Sequence, residues 1–396
     1  MARSRRRKGR CEFSTLLCSQ ERWRDREQVP YKLTMTMIMS EKTGDILDRY
    51  PAVRGRPEEM AMLCSLLRER GLLEDALAVG EGAVAAAPDS LAVDMAVRGA
   101  LAQGVQSFHR TMLLDGNRNR AYARAIEAAV RPGMTVLEIG CGAGLLAMIA
   151  ARAGARVVTC EAKPMIAAAA TEIIRRNGLS ERIRVVAKSS TDLSIPGDLA
   201  EPADLVIHEI FGPQLFDEGV THSLSDARAR LLKPGARSVP GRACVRLALV
   251  RDNRERDRRT LGDVEGFDLS AFDLLQEPER WIRRGQMHKV EMCSEPVSAL
   301  SMDYDRSPPF GPASETVSLT STGGRIDAVM QWISIQFGPD EIYENAPSPH
   351  DDGSSWGVSF RRLPSPIETA AGERVDVTLR HRGMLLTLDV ARLHVG

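Results

Sequence analysis

The sequence predicts an α/β fold: a parallel sheet covered by helices, then a mostly antiparallel β half, with a small helical segment in front. Three observations carry this. Strand and helix patterns alternate between residues 135 and 207, which argues for parallel strands joined by crossover helices. The first strand runs into a glycine-rich turn, Gly140-Cys141-Gly142-Ala143-Gly144, that opens a helix. After Pro240 the helical period is lost, and short apolar runs follow one another between breakers such as Pro308, Pro309, Gly323, Gly324, Pro347 and Pro349.

The elements follow in order. Strands are expected at 135–139, 156–160, 183–187 and 204–207, and helices at 144–153 and 166–177. In the second half, 243–251, 317–320, 328–337 and 375–379 read as strands of a β-barrel domain over 241–396. Ahead of the sheet, Leu63, Leu66 and Leu67 share one helical face, Gly71 interrupts it, and Ala76, Leu77, Val84 and Ala87 continue in a second helix ending near Pro88. The spacing from Leu66 to Pro88 is that of one tetratricopeptide unit or of a plain helical hairpin capping the next domain. Residues 1–54 lack periodic apolar positions. Arg5, Arg6, Arg7, Lys8 and Arg10 make them a basic, disordered tail rather than a nucleic-acid arm, and Met35, Met37 and Met39 offer alternative translation starts. The chain thus divides into 1–54, a helical 55–105, a Rossmann-like 106–240 and a β-rich 241–396.

Bulk properties narrow the function. A chain of 396 residues is too long for a single core. Lys+Arg and Asp+Glu are both 53, so no global field draws the protein to nucleic acid or membrane. The seven cysteines form no C-x-x-C pair, which argues against zinc and disulfides and for a reducing cytoplasm. No apolar run approaches the roughly 20 residues that span a bilayer.

The glycine turn is a cofactor site by its context. Lacking Cβ atoms, it lets a ligand approach the backbone. A phosphate-binding loop would need Lys-Ser/Thr after the glycines, where Leu145 and Leu146 stand. The dinucleotide fingerprint would need a small residue at Leu145. A purely structural strand–helix turn stays open. Glu138 precedes the glycines and Glu161 ends the second strand, where an acid can accept two ribose hydroxyls; nicotinamide enzymes place an acid there too.

Separated segments then resemble one family. His109-x-x-Met112-Leu113-x-Asp115-x-x-Arg118 lies upstream of the turn. Downstream, His208-Glu209-Ile210-Phe211 ends a strand, and Glu218-Gly219 follows nine residues after Glu209. Leu231-Leu232-Lys233-Pro234-Gly235, Gly266-Phe267-Asp268-Leu269-Ser270 and Ser294-Glu295-Pro296-Val297 continue in order. Together they resemble the protein arginine N-methyltransferase family, of the S-adenosylmethionine-dependent class I, over roughly residues 105–396. Some members of that family carry tetratricopeptide repeats in front. The resemblance implies S-adenosylmethionine held by His109, Met112, Arg118, Glu138, Gly140, Cys141, Gly142, Gly144, Glu161, Ala162, Ser190 and Glu209, with Arg118 pairing the methionine carboxylate. It implies a double-glutamate loop, Glu209 and Glu218, on the acceptor, and a homodimer through an arm at about 251–290. Three departures stand out. Ser355 in Ser354-Ser355-Trp356 replaces a histidine that normally pairs with the acid at Asp115. Ser190 stands where an acid is expected at the adenine, and the usual aromatic pair is missing around 103–108.

These residue types suit the chemistry. A guanidinium stays protonated at neutral pH and is a poor nucleophile. Two carboxylates can bind it by forked hydrogen bonds and draw its charge away from the attacking nitrogen. Trp356 either walls the acceptor pocket, an indole face suiting a cation, or fills core. The expected function is methyl transfer to arginine of a protein substrate. A class I methyltransferase for a small molecule or nucleic acid, and a weakly catalytic cofactor-binding scaffold, are the alternatives.

Overall fold

Five short apolar strands, flanked by amphipathic helices, assemble into a parallel sheet in the computed structural model. The structure describes residues 46–253, 261–275, 279–282, 287, 289–306, 310–338, 341–347 and 354–392. The basic cluster, the three early methionines and most of the expected tail lie outside the described residues. From residue 50 onward the chain is one compact unit.

Helices α1 (Pro57–Glu69), α2 (Leu73–Ala86) and α3 (Leu91–Leu101) lead, followed by α4 (Phe108–Leu114) and α5 (Gly116–Ala129). The sheet comprises β1 (Thr135–Ile139), β2 (Arg156–Cys160), β3 (Ile183–Val186), β4 (Ala203–His208) and β5 (Leu232–Val239). It is interleaved with α6 (Leu145–Arg152), α7 (Pro164–Arg176) and α8 (Val220–Arg230). Its strand order is β3-β2-β1-β4-β5, parallel throughout. All of β1 is buried, as a strand covered on both faces is, including Thr135 and Glu138. The order reverses between β1 and β4, and ligands of such sheets bind at the carboxyl ends flanking that switch. Register makes this concrete. Ile139 pairs with Cys160 on one side and His208 on the other. Gly140, Glu161 and Glu209, the next residue in each strand, therefore leave the sheet side by side.

The second half is antiparallel, as its sequence pattern predicts. Its strands are β6 (Arg242–Asp252), β7 (Asp263–Val264), β8 (Phe267–Asp268), β9 (Glu279–Ile282), β10 (Val290–Met292) and β11 (Val297–Asp303). Then come β12 (Ala313–Thr320), β13 (Gly324–Gln336), β14 (Ile342–Glu344), β15 (Val358–Thr369), β16 (Arg374–Arg382) and β17 (Leu385–Arg392). They form a seven-stranded sheet running β10-β6-β13-β15-β9, with β11 on β6 and β14 on β13. A three-stranded sheet β12-β16-β17 and the hairpin β7-β8 complete this half. One apolar core runs through both halves: Tyr122 of α5 meets Phe337 edge-on at 4.7 Å, and Phe211 lies 5.8 Å from Trp356.

The front segment departs from the two-helix expectation. A third helix, α3, starts at Ser90, whose hydroxyl accepts from the Val93 amide; that cap was legible but lay between weaker signals. The three helices pack closely at Gly80, where an added Cβ would come within 2.9 Å of Val97. Arg176 of α7 pairs with Glu81 of α2, tying this unit to the parallel sheet.

Candidate active site

The turn between β1 and α6 is built on left-handed glycines, with φ of 84° at Gly140, 52° at Gly142 and 79° at Gly144. L-residues with side chains rarely adopt such angles. A Cβ on Gly140 would also stand 2.6 Å from the Ile210 side chain. The end of β2 holds the turn: Gly140 and Cys141 both donate to the Cys160 carbonyl, and Gly142 donates to Glu161 Oε2 at 3.1 Å. Above the turn opens a cavity of about 730 Å³. Leu77, Val84, Val97 and Leu101 of α2 and α3 form one wall, and Met165 and Ile173 of α7 another. Sequence reading gave the front helices no part in the site.

Eight of the expected residues line this cavity together: His109, Met112, Arg118, Glu138, Gly140, Cys141, Gly142 and Glu209. The rest are placed otherwise. Gly144 caps α6. Glu161 is buried beside the turn, its second oxygen accepting from the Lys163 amide at 2.9 Å, and Ala162 next to it is exposed. Ser190 is buried at the start of a single 3-10 turn after β3. Glu218 is exposed at the end of its loop. Trp356 is buried against Phe211 and Tyr343.

Arg118 is the hub. It sits in the first turn of α5, buried, with Nη2 2.9 Å from Glu209 Oε2. Nη1 donates to Asn119 Oδ1 at 2.8 Å and the Met112 carbonyl at 3.3 Å. The guanidinium lies 5.3 Å over Tyr122 and 5.7 Å over Trp356. One helical turn on, Tyr122 donates to the His208 carbonyl at 3.1 Å, pinning α5 to the strand end that delivers Glu209. Its place on the same helix face as Arg118 was the available signal. Asp217 folds the loop between the two glutamates by accepting the Gly212 amide at 2.9 Å. The acid at Asp115 does have partners despite the missing histidine: the Tyr343 hydroxyl at 2.7 Å and the Ser355 amide at 2.9 Å.

Burial shapes the acids. It pushes Glu138 up to about 8, against a hydrogen bond from Thr159. It pushes Glu209 up to about 8 as well, with Arg118 opposing and Glu218 reinforcing. Partial desolvation and the charges of Asp217 and Glu161 push Glu218 up to about 7. Burial lowers His109, against the pull of Glu161. Two buried atoms of residues that line the cavity, Glu138 Oε1 and Arg118 Nε, have no hydrogen-bond partner among the described residues.

Comparison with known proteins identifies the fold and the family. Residues 121–238 match the family profile of the ribosomal protein L11 methyltransferase (PrmA), which marks the parallel sheet as a methyltransferase sheet. The solved Trypanosoma brucei PRMT1 enzyme–prozyme heterotetrameric complex with AdoHcy shares the fold, with a TM-score of 0.63 at 23% identity over 74% of this chain and 96% of that one. The arginine N(omega)-methyltransferase of Streptomyces achromogenes subsp. streptozoticus is 33% identical over 334 residues, 83% of this chain and 91% of its own. Protein arginine N-methyltransferase 7 of Danio rerio is 30% identical over 70% of this chain, which spans only 44% of that relative's length. The chain belongs to the arginine N-methyltransferase family.

The electrostatics give a direct test. Carbon-detected NMR of the side-chain carboxyls should place Glu218 near 7 and Glu209 near 8. Arg118→Leu removes the one cation holding Glu209 down, so its midpoint should rise further; an unchanged or lowered midpoint would refute the coupling.

Proposed function

We propose that this protein transfers a methyl group from S-adenosylmethionine to the guanidinium of arginine. The observation that carries this is the pairing of Glu209 with a guanidinium, that of Arg118, beneath the Trp356 ring and within the field of Glu218. The site already holds the chemical group it would methylate. Its carboxylates speak against a nucleic-acid acceptor, since phosphates would be repelled.

The residues around the turn fit the cofactor. Arg118 Nε is a donor and Glu138 Oε1 an acceptor, both buried and unpartnered, and such groups are costly without a ligand. Arg118 would hold the methionine carboxylate, Glu161 the ribose, and His109 and Met112 the side facing α4. When bound, S-adenosylmethionine supplies a methyl already activated on a sulfonium. The chain's own work is then positioning. The wall from α2 and α3 excludes water. Glu209 and Glu218, ionised, orient the acceptor and draw its positive charge toward themselves, and the cation they bind favours that ionised state. In this reading residues 106–240 hold the cofactor and 241–396 complete the acceptor pocket, with Trp356 as its wall.

The acceptor is read as arginine in a protein. One observation favours a second reading: the relative matched over nearly its full length is named for arginine, without "protein". Assembly as a homodimer is supported by the segment from β7 onward, where Phe267, Phe272, Leu274 and Leu275 are at least 61% exposed. Apolar side chains this exposed call for a covering surface. No helix among the described residues is long and apolar enough to cross a membrane. The free, buried thiols of Cys64, Cys141 and Cys160 support the expected cytoplasmic setting.

Incubation with labelled cofactor and either arginine-rich peptides or free arginine, followed by amino-acid analysis, should yield methylarginine from one of the two acceptors. Glu209→Gln and Glu218→Gln should each cut that rate by on the order of 10²–10³, as removal of a group meeting developing charge does. Cofactor affinity should stay largely intact, and the two effects should not add. Label on any other residue, or amide variants as fast as the parent, would contradict the reading. Light scattering at micromolar concentration should report a dimer, and Phe272→Asp with Leu274→Asp should yield monomer; a parent that is already monomeric counts against the arm.

A further inference from the structure

Asp115 joins the two halves of the molecule at a single carboxylate. It is buried, 1% exposed, and Oδ1 accepts the Arg118 amide at 3.0 Å, capping α5. Oδ2 faces the β half and accepts three donors: the Tyr343 hydroxyl at 2.7 Å, the Ser355 amide at 2.9 Å and the Ser355 hydroxyl at 3.3 Å. Tyr343 is held on both sides. β14 pairs it with Ile335 of β13, and its ring meets Trp356 edge-on at 5.6 Å. Three residues past Asp115, Arg118 reaches Glu209.

We infer that Tyr343 is a positioning residue for methyl transfer: its hydroxyl fixes Asp115, and through the capped first turn of α5 it sets Arg118 and the acceptor wall at Trp356 relative to Glu209. This rests on the proposed reaction. The reasoning is geometric. A buried carboxylate must be met by donors, and hydrogen bonds to a charged group are the strong ones. The shortest of the three comes from Tyr343, the only one of the three donors on a β-strand. The ring alone could be supplied by phenylalanine, which would pack on Trp356 equally well. What tyrosine adds is one O–H, and that O–H ends on the carboxylate that aims the site's hub.

The test uses the full chain with Tyr343→Phe. Loss of a hydrogen bond to a buried charge should speed amide exchange in the first turn of α5 about tenfold and lower kcat/KM for methyl transfer by a similar factor. Exchange across β1 and β13 should stay as in the parent. Adding Ser355→His to that variant places a new N–H donor beside the same oxygen and should return both readouts toward the parent. Unchanged exchange at α5 would overturn the role. So would a second substitution that leaves both losses in place, because the defect would then be one of packing. The exchange readout needs no activity. A parent that methylates no arginine acceptor, alongside faster exchange in Tyr343→Phe, would therefore overturn the methylation reading and leave the positioning role standing.

Discussion

The ion pair between Arg118 and Glu209 is taken out of water where the parallel sheet, the capped helix α5 and the β half converge. Burying two charges costs several kcal/mol per ion before their attraction offsets it, and apolar replacements are often as stable. Stability alone therefore does not account for the pair. Its surroundings treat it as something to be aimed. Asp115 caps the helix that carries the arginine, and Tyr122 pins that helix to the His208 carbonyl. β1–β4 register brings Glu209 out beside the glycine turn. Removing Glu209 would leave the buried Arg118 charge without its acid, a loss of about 3–5 kcal/mol, whereas removing Arg118 drives Glu209 toward its protonated form, so the two residues are constrained together.

From that pair the rest of the site follows as a division between a mostly apolar pocket and the two acids that follow β4. The cavity over the glycine turn is lined by leucines, valines and methionines from α2, α3 and α7, with a few polar groups converging at one end. That is the usual composition of a small-ligand site. Glu218, on the loop after β4, is open to solvent where Glu209 is buried. The two carboxylates therefore differ in how readily they ionise, and in the proposed reaction an incoming guanidinium would meet an exposed acid first and a buried one second.

The sequence was most legible where local rules and the fold agree. The bounds of β1 and β2 follow from their short, mainly apolar runs Val136–Ile139 and Val157–Cys160, and the glycine turn from the need for left-handed backbone. Glu161 was found because it ends its strand, and Glu209 through the resemblance of its loop; each directly follows its strand in the structure, a position that register converts into proximity. Five features escaped, each for a physical reason. Helix α3 was hidden because its cap at Ser90 follows a proline-containing stretch that reads as loop. The contribution of α2 and α3 to the cavity depends on tertiary docking through Glu81 and Arg176, 95 residues apart, and no local pattern records it. Tyr343 lies 228 residues from the carboxylate it serves. The replacement of histidine by Ser355 reads in the sequence as a loss, whereas the structure supplies other donors to the same oxygen. Glu161 was read only as a ribose acceptor; each of its oxygens also accepts one backbone amide, which leaves further acceptor capacity, so its role in the turn came only with coordinates.

If the buried pair is a site kept for ligands, Arg118 must change partners. It holds Glu209 here, and a cofactor carboxylate offers it a second acid at closer to full charge. The most direct test is a crystal structure of the protein with S-adenosylhomocysteine. The account predicts that Arg118 turns to the ligand's carboxylate while Asp115, Tyr343 and the α5 cap stay in place, leaving Glu209 available to an acceptor. A complex in which the ligand binds with the Arg118–Glu209 contact intact and no arginine on its carboxylate would contradict it.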